Sequence, residues 1–177
     1  MAIRDYQGRQ PQIHPSAYID DMALVVGEVE IGADSSIWPM CVVRGDVNSI
    51  HIGSSTNIQD GSVLHVSHRS EHNPQGHALV VGDRVTVGHK VILHGCSIGN
   101  ESLIGMGSIV MDGVVVEERV LLGAGSLVPP GKTLESGYLY LGNPVRQVRS
   151  LNEQELGYFD YSARHYMRLK DEYLNQR

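Results

Sequence analysis

The chain has 177 residues, 41% of them hydrophobic and 19% charged, with a net charge of −6. That is enough for one domain with a sizeable core and too little for two. The acidic balance argues against a nucleic-acid partner, and no run approaches the ~20 apolar residues of a membrane span. The opening segment, MAIRDYQGRQPQIHP, has no apolar stretch of the signal-peptide kind. Cys41 and Cys96 form no CxxC pair and read as reduced thiols, which points to a cytoplasmic protein.

From Ile19 onward aliphatic residues recur every six positions. Ile19, Val25, Ile31, Ile37 and Val43 form a first series; Ile52, Ile58 and Leu64 a second; Val81, Val87 and Leu93 a third. The fourth runs from Ile98 through Ile104, Val110, Val116, Leu122 and Val128 to Leu134. Glycine often follows the aliphatic residue, and position i+4 is small or β-branched, as at Ser35, Thr56, Ser62, Ser102, Ser108 and Ser126. A period of six suits neither a helix nor long alternating strands. It suits short strands joined by turns, each turning one aliphatic inward to stack on its equivalent one coil above: a parallel β-helix with three strands per coil. This pattern resembles the left-handed β-helix of the hexapeptide-repeat superfamily, and the handedness comes from that resemblance.

The register slips three times. Three residues are added between Val43 and Ile52, an 11-residue insertion separates Leu64 from Val81, and one residue is missing between Leu93 and Ile98. The insertion forms a polar loop holding His68, His72 and His77. Pro129, Pro130 and Gly131 suggest a bend near the end of the coils. The six-fold pattern stops at Ser150, where Ser150-Leu-Asn-Glu153 reads as a capping box. Leu156, Phe159, Ala163, Tyr166, Met167, Tyr173 and Leu174 then mark one face of a helix over 151–175. The expected organisation is a β-helix domain over 1–150, with residues 151–177 packed on it as a helix.

Counting faces cyclically puts Leu64 and Leu93 on face one, Val81 on face two and Val87 on face three. His65 and His94 both follow a face-one aliphatic directly, so they stack one coil apart, about 4.8 Å, close enough to share a metal ion. His89 lies two residues after a face-three aliphatic, at another part of the triangle. A third ligand would then come from a neighbouring copy, leaving an open coordination position of the catalytic kind. Arg44 lies a coil below His65, and Asp60, with Gln59 beside it, a coil below His89. Polar residues thus stand where the repeat often uses glycine, and such departures gather at functional sites.

The segments RGD (44–46), NIQD (57–60), LHV (64–66) and GHKVILHG (88–95) resemble those of the gamma-class carbonic anhydrases, over most of the chain. The resemblance implies a homotrimer holding Zn2+, or Fe2+ or Co2+, on His65, His89 and His94, and reversible hydration of carbon dioxide to bicarbonate by a metal-bound hydroxide. It implies that Gln59 orients that hydroxide, that Arg44 and Asp46 make salt bridges between subunits, and that Asp60 pairs with Arg44 across the interface. Tyr140 is matched more loosely to a tyrosine near the metal. Two glutamates of the prototype enzymes are replaced, by Val47 and by His68, and an asparagine by Gly142. His68, with an ordinary pKa of about 6.5, is a candidate proton relay. The replacements keep two other readings open: a metal-stabilised trimer without efficient hydration activity, and an acyltransferase or thioesterase on the same scaffold.

Overall fold

The computed structural model describes residues 2–176. It is a left-handed parallel β-helix closed by an antiparallel hairpin and flanked by one C-terminal helix. The three aliphatic ladders fall where the six-residue count puts them. Face one stacks Val25, Val43, Leu64, Leu93, Val110 and Val128. Face two stacks Ile31, Ile52, Val81, Ile98, Val116 and Leu134. Face three stacks Ile19, Ile37, Ile58, Val87, Ile104, Leu122 and finally Tyr140. None of these is more than 4% exposed, so the ladders together are the core.

The small i+4 residues are buried because their hydroxyls satisfy corner carbonyls that no strand reaches. Ser35 donates to Gly53 O (2.6 Å), Thr56 to Gly82 O (2.7 Å) and Ser126 to Gly123 O (2.7 Å). Cys41 and Cys96 fill the same kind of buried niche as free thiols, and burial pushes them up to about 11 and about 12. Both are free thiols, as the lack of a CxxC pair suggested, and both are buried.

One corner departs from the pattern of short strands. Leu24–Ile31 and Val42–Ile52 run through the corner between faces one and two as continuous strands. Their pairing shifts between Gly27 and Val29, where the three added residues bulge out of the second strand. Gly27 has φ +80°, and a Cβ there would lie 2.4 Å from Gly45 O, so glycine lets the two strands cross this bend in contact.

The bend expected at Pro129, Pro130 and Gly131 is a turn between Val128 and Leu134 in the last coil, before Tyr138–Gly142 pairs antiparallel with Val145–Ser150. That pairing corrects another expectation. Ser150 is therefore the end of a strand and not a helix cap. The helix runs Glu153–Leu174 with Asn152 as N-cap: Asn152 Oδ1 accepts from Glu155 N (2.9 Å), and the Glu155 carboxylate accepts from Asn152 N (3.0 Å). The sequence offers both boxes, but hairpin pairing had already committed Ser150. The helix lies along face three and buries Phe159, Ser162, Ala163 and Lys170, whereas Leu156 stays 40% exposed. Lys170 is buried because its ammonium reaches Asp34 (3.1 Å) and Asp171. Among the described residues no helix is long and apolar enough to cross a membrane.

Candidate metal centre at two corners of the prism

The structure sorts the expected site residues into two groups at different corners. At the corner between faces one and two, His94 pairs directly with His65 in the strand register. His65 Nδ1 lies 3.1 Å from His94 Nε2, and the ring centroids are 5.1 Å apart. Each imidazole has a carboxylate behind it. Asp46 Oδ1 is 3.0 Å from His65 Nε2, and Asp112 Oδ1 is 2.7 Å from His94 Nδ1.

That arrangement has a chemical consequence. A carboxylate accepts, so His65 Nε2 and His94 Nδ1 carry the protons that face them. The two remaining nitrogens then present lone pairs to each other at 3.1 Å, an arrangement stable only with a proton or a cation between them. Burial, the largest influence on His65, holds its imidazole below its ordinary value, although the Asp46 contact pulls the other way. Two bonds of about 2.0–2.1 Å can span this separation, so the donor set fits a transition-metal ion.

Asp46 is carried on the bulge created by the added residues, which explains why that strand departs from the six-residue count. Its partial burial opposes ionisation, but hydrogen bonds from His65 and Arg44 outweigh it and hold the carboxyl below the usual carboxylate range. Arg44 contacts Asp46 within the same chain. Its side chain stays 43% exposed, free to extend toward a further partner.

The second group sits at the corner between faces three and one. His89 Nδ1 is 3.0 Å from Asp60 Oδ2, one coil below, as the phase count requires. Gln59, only 6% exposed, donates from Nε2 to Asn57 Oδ1 (3.0 Å), which leaves its Oε1 as the free acceptor. Within one chain His89 does not join His65 and His94: among the described residues no three His, Cys, Asp or Glu side chains are grouped to hold a metal ion.

Tyr140 is placed away from both corners. It caps the face-three ladder as core, and its hydroxyl accepts from Glu135 N (2.8 Å) and donates to Gln147 (3.1 Å). It stands three coils from Val87, about 14 Å at the usual strand spacing. His68 is exposed on the inserted loop, beside Arg9, Asn48 and Arg69. Asp112, and a role for Asn57 within the NIQD segment, lie outside the sequence expectation. Met111 is the residue in phase with His94, and Asp112 follows it in phase with Gly95, so the six-residue count alone does not mark it.

A family model described as bacterial transferase hexapeptide (six repeats) matches residues 95–130. The carbonic anhydrase of Geobacillus kaustophilus is 46% identical over 165 residues, covering 93% of this chain and 87% of that one. The chain belongs to the gamma-class carbonic anhydrase-like family of hexapeptide-repeat proteins. Another relative, protein YrdA of Escherichia coli, is 56% identical over 174 residues, covering 98% of this chain and 95% of that one. Family membership does not select a single activity by name. A solved Bacillus cereus protein described as a putative acetyltransferase superposes with TM-score 0.93 at 38% identity, covering 99% and 98% of the two chains.

Proposed function

We propose that three copies of the chain bring the two half-sites together, that His65 and His94 of one subunit with His89 of the next hold a transition-metal ion, and that the site hydrates carbon dioxide. The observation that carries this reading is the facing pair of imidazole nitrogens, each backed by a carboxylate and separated by 3.1 Å. A second observation supports the assembly. Outward on face one, Val42, Val63, Ile92, Ile109 and Leu127 form a continuous apolar ladder, with Val63, Ile92 and Ile109 36–39% exposed. It runs between the two half-site corners, where a neighbouring prism would cover it.

When bound, zinc or a similar ion acts as a Lewis acid that lowers the pKa of water to about 7. The chain's own residues do the rest. Asp46 and Asp112 fix the tautomers and directions of His65 and His94, and Asp60 does so for His89. Gln59 turns its Oε1 outward as an acceptor and so orients the O–H of the attacking water, leaving the oxygen lone pair toward carbon dioxide. The proton released must reach solvent, and His68, exposed on the inserted loop beside Val47 and Asn48, is the proposed relay.

Elemental analysis with native mass spectrometry, followed by anaerobic stopped-flow hydration of carbon dioxide on zinc and iron forms, tests the reading. The expectation is one metal ion per chain, three chains per particle and a rate above the buffer control. His89→Ala should remove metal and activity together. A monomer without metal would refute the shared site. A loaded trimer with no rate would leave a metal-stabilised assembly. Acetyl transfer from acetyl-CoA, measured in parallel with and without metal, checks the activity suggested by the Bacillus cereus relative.

A further inference from the structure

We infer that Thr86 and Ser162 are positioning residues: acting through Asn57, they decide which end of the Gln59 amide faces the site. The inference rests on the reading of Gln59 as an acceptor given above, and it assigns the C-terminal helix a part in setting the site's polarity.

Four buried side chains form one unbroken line from that site to the helix. Gln59 Nε2 donates to Asn57 Oδ1 (3.0 Å), and Asn57 Nδ2 lies 3.0 Å from Thr86 Oγ1. Thr86 Oγ1 is in turn 2.8 Å from Ser162 Oγ, on the helix. Exposure is 6% for Gln59, 1% for Asn57, 5% for Thr86 and 4% for Ser162, so water cannot easily substitute for a lost partner.

A carboxamide has a donor end and an acceptor end of nearly equal shape, and nothing in Gln59 itself selects between them. The selection must come from a group whose polarity is fixed. Val85 O lies 3.4 Å from Asn57 Nδ2, the right polarity but a long and weak restraint. The Thr86 hydroxyl can either accept from Asn57 or donate to it, and so does not decide the matter alone. It owns a single proton, however. Either hydroxyl can donate in the Thr86–Ser162 contact; when Thr86 does, only lone pairs remain for Asn57, the arrangement that agrees with the Val85 carbonyl, which can only accept. Donation then runs one way throughout: Gln59 to Asn57, Asn57 to Thr86, Thr86 to Ser162. Gln59 Oε1 is left over for the site.

Removing the Ser162 hydroxyl frees the Thr86 proton to turn toward Asn57. A flipped Asn57 becomes admissible, and with it a flipped Gln59 that offers an N–H where an acceptor is needed. The fold survives this change, because Phe159 and Ala163 still anchor the helix.

The test is the side-chain amide spectrum of the intact 15N-labelled protein, with Gln59 and Asn57 assigned by loss of signal in Gln59→Ala and Asn57→Ala. In the native protein each amide should give one sharp, slowly exchanging pair. Ser162→Ala should shift or split both pairs and speed Gln59 amide exchange about tenfold, the scale of one buried hydrogen bond. Ser162→Thr should restore the native spectrum, and Thr86→Val should reproduce the loss without touching the helix. Unchanged Gln59 and Asn57 amide signals in Ser162→Ala and Thr86→Val, with melting temperatures lowered or not, would overturn the inference. The spectrum reads the wiring whether or not the protein hydrates carbon dioxide, so failure of the functional reading shows up separately, as a silent stopped-flow trace beside a responsive spectrum. Where activity is present, Ser162→Ala should lower kcat and leave KM little changed, since the lost contact matters to attack and not to capture.

Discussion

Replacing Asp112 by Asn keeps the shape behind His94 and removes the charge. Asp112 Oδ1 lies 2.7 Å from His94 Nδ1, a length typical of a charge-assisted hydrogen bond. The asparagine oxygen can still accept that proton, so the ring should keep its direction while its outer nitrogen becomes a poorer donor to a cation. Loss of such a carboxylate costs about 10–100-fold in metal affinity, or roughly 1.4–2.8 kcal/mol. The two side chains are 36% and 35% exposed, so solvent screens part of the effect and the lower end applies, near tenfold. Asp112→Ala also frees the ring to rotate and should fall near the upper end. Competition for zinc against a chelator of known affinity measures both, with thermal unfolding of the metal-free proteins as the control for folding. Native affinity in both variants, at unchanged stability, would refute the claim that the carboxylate–imidazole pair is part of a metal centre.

The apolar ladder on face one gives a second test: Ile92→Asp places a charge at its middle, 39% exposed in the single chain, and should convert trimer to monomer in native mass spectra without unfolding the coils. If the trimer persists, the interface lies elsewhere. The helix cap predicts a pH signature. The hydrogen bonds from Arg149, with those at Asn152, hold the Glu155 carboxyl down to about 2, so its contribution to stability is complete above the ordinary carboxylate value. That contribution is lost as pH falls from about 4.3 toward 2. The difference in melting temperature between native protein and Glu155→Gln should therefore be largest near neutrality and close on acidification; a constant difference would contradict the assignment. Cys41 and Cys96, raised by burial to about 11 and about 12, should resist thiol reagents at pH 8 until the protein unfolds. Rapid labelling of the folded protein would show that the coils open.

Much of the fold was readable from residues alone because a β-helix converts sequence distance directly into position. Each aliphatic step of six moves one face, so Leu64 and Leu93 had to stack, and His65 and His94 with them. The same count brought Asp60 under His89. What it missed was of another kind. The place where the helix starts depended on Ser150 being held by Tyr138 across the hairpin, a pairing that leaves no mark in the local pattern. The continuous strands at one corner arose from a backbone crossing that only glycine at position 27 permits, and the bulge beside it is what delivers Asp46 to His65.

The three-sided coil, its phase, and the sharing of a corner by particular polar residues all follow from a strict local period in the chain. How those residues face each other does not follow from it and depends on the folded arrangement. That arrangement supplied the lone pairs opposed across 3.1 Å, the carboxylate behind each ring, and the buried line from Gln59 to Ser162. Side-chain direction and proton ownership depend on partners distant in the chain, and no period in the sequence encodes them.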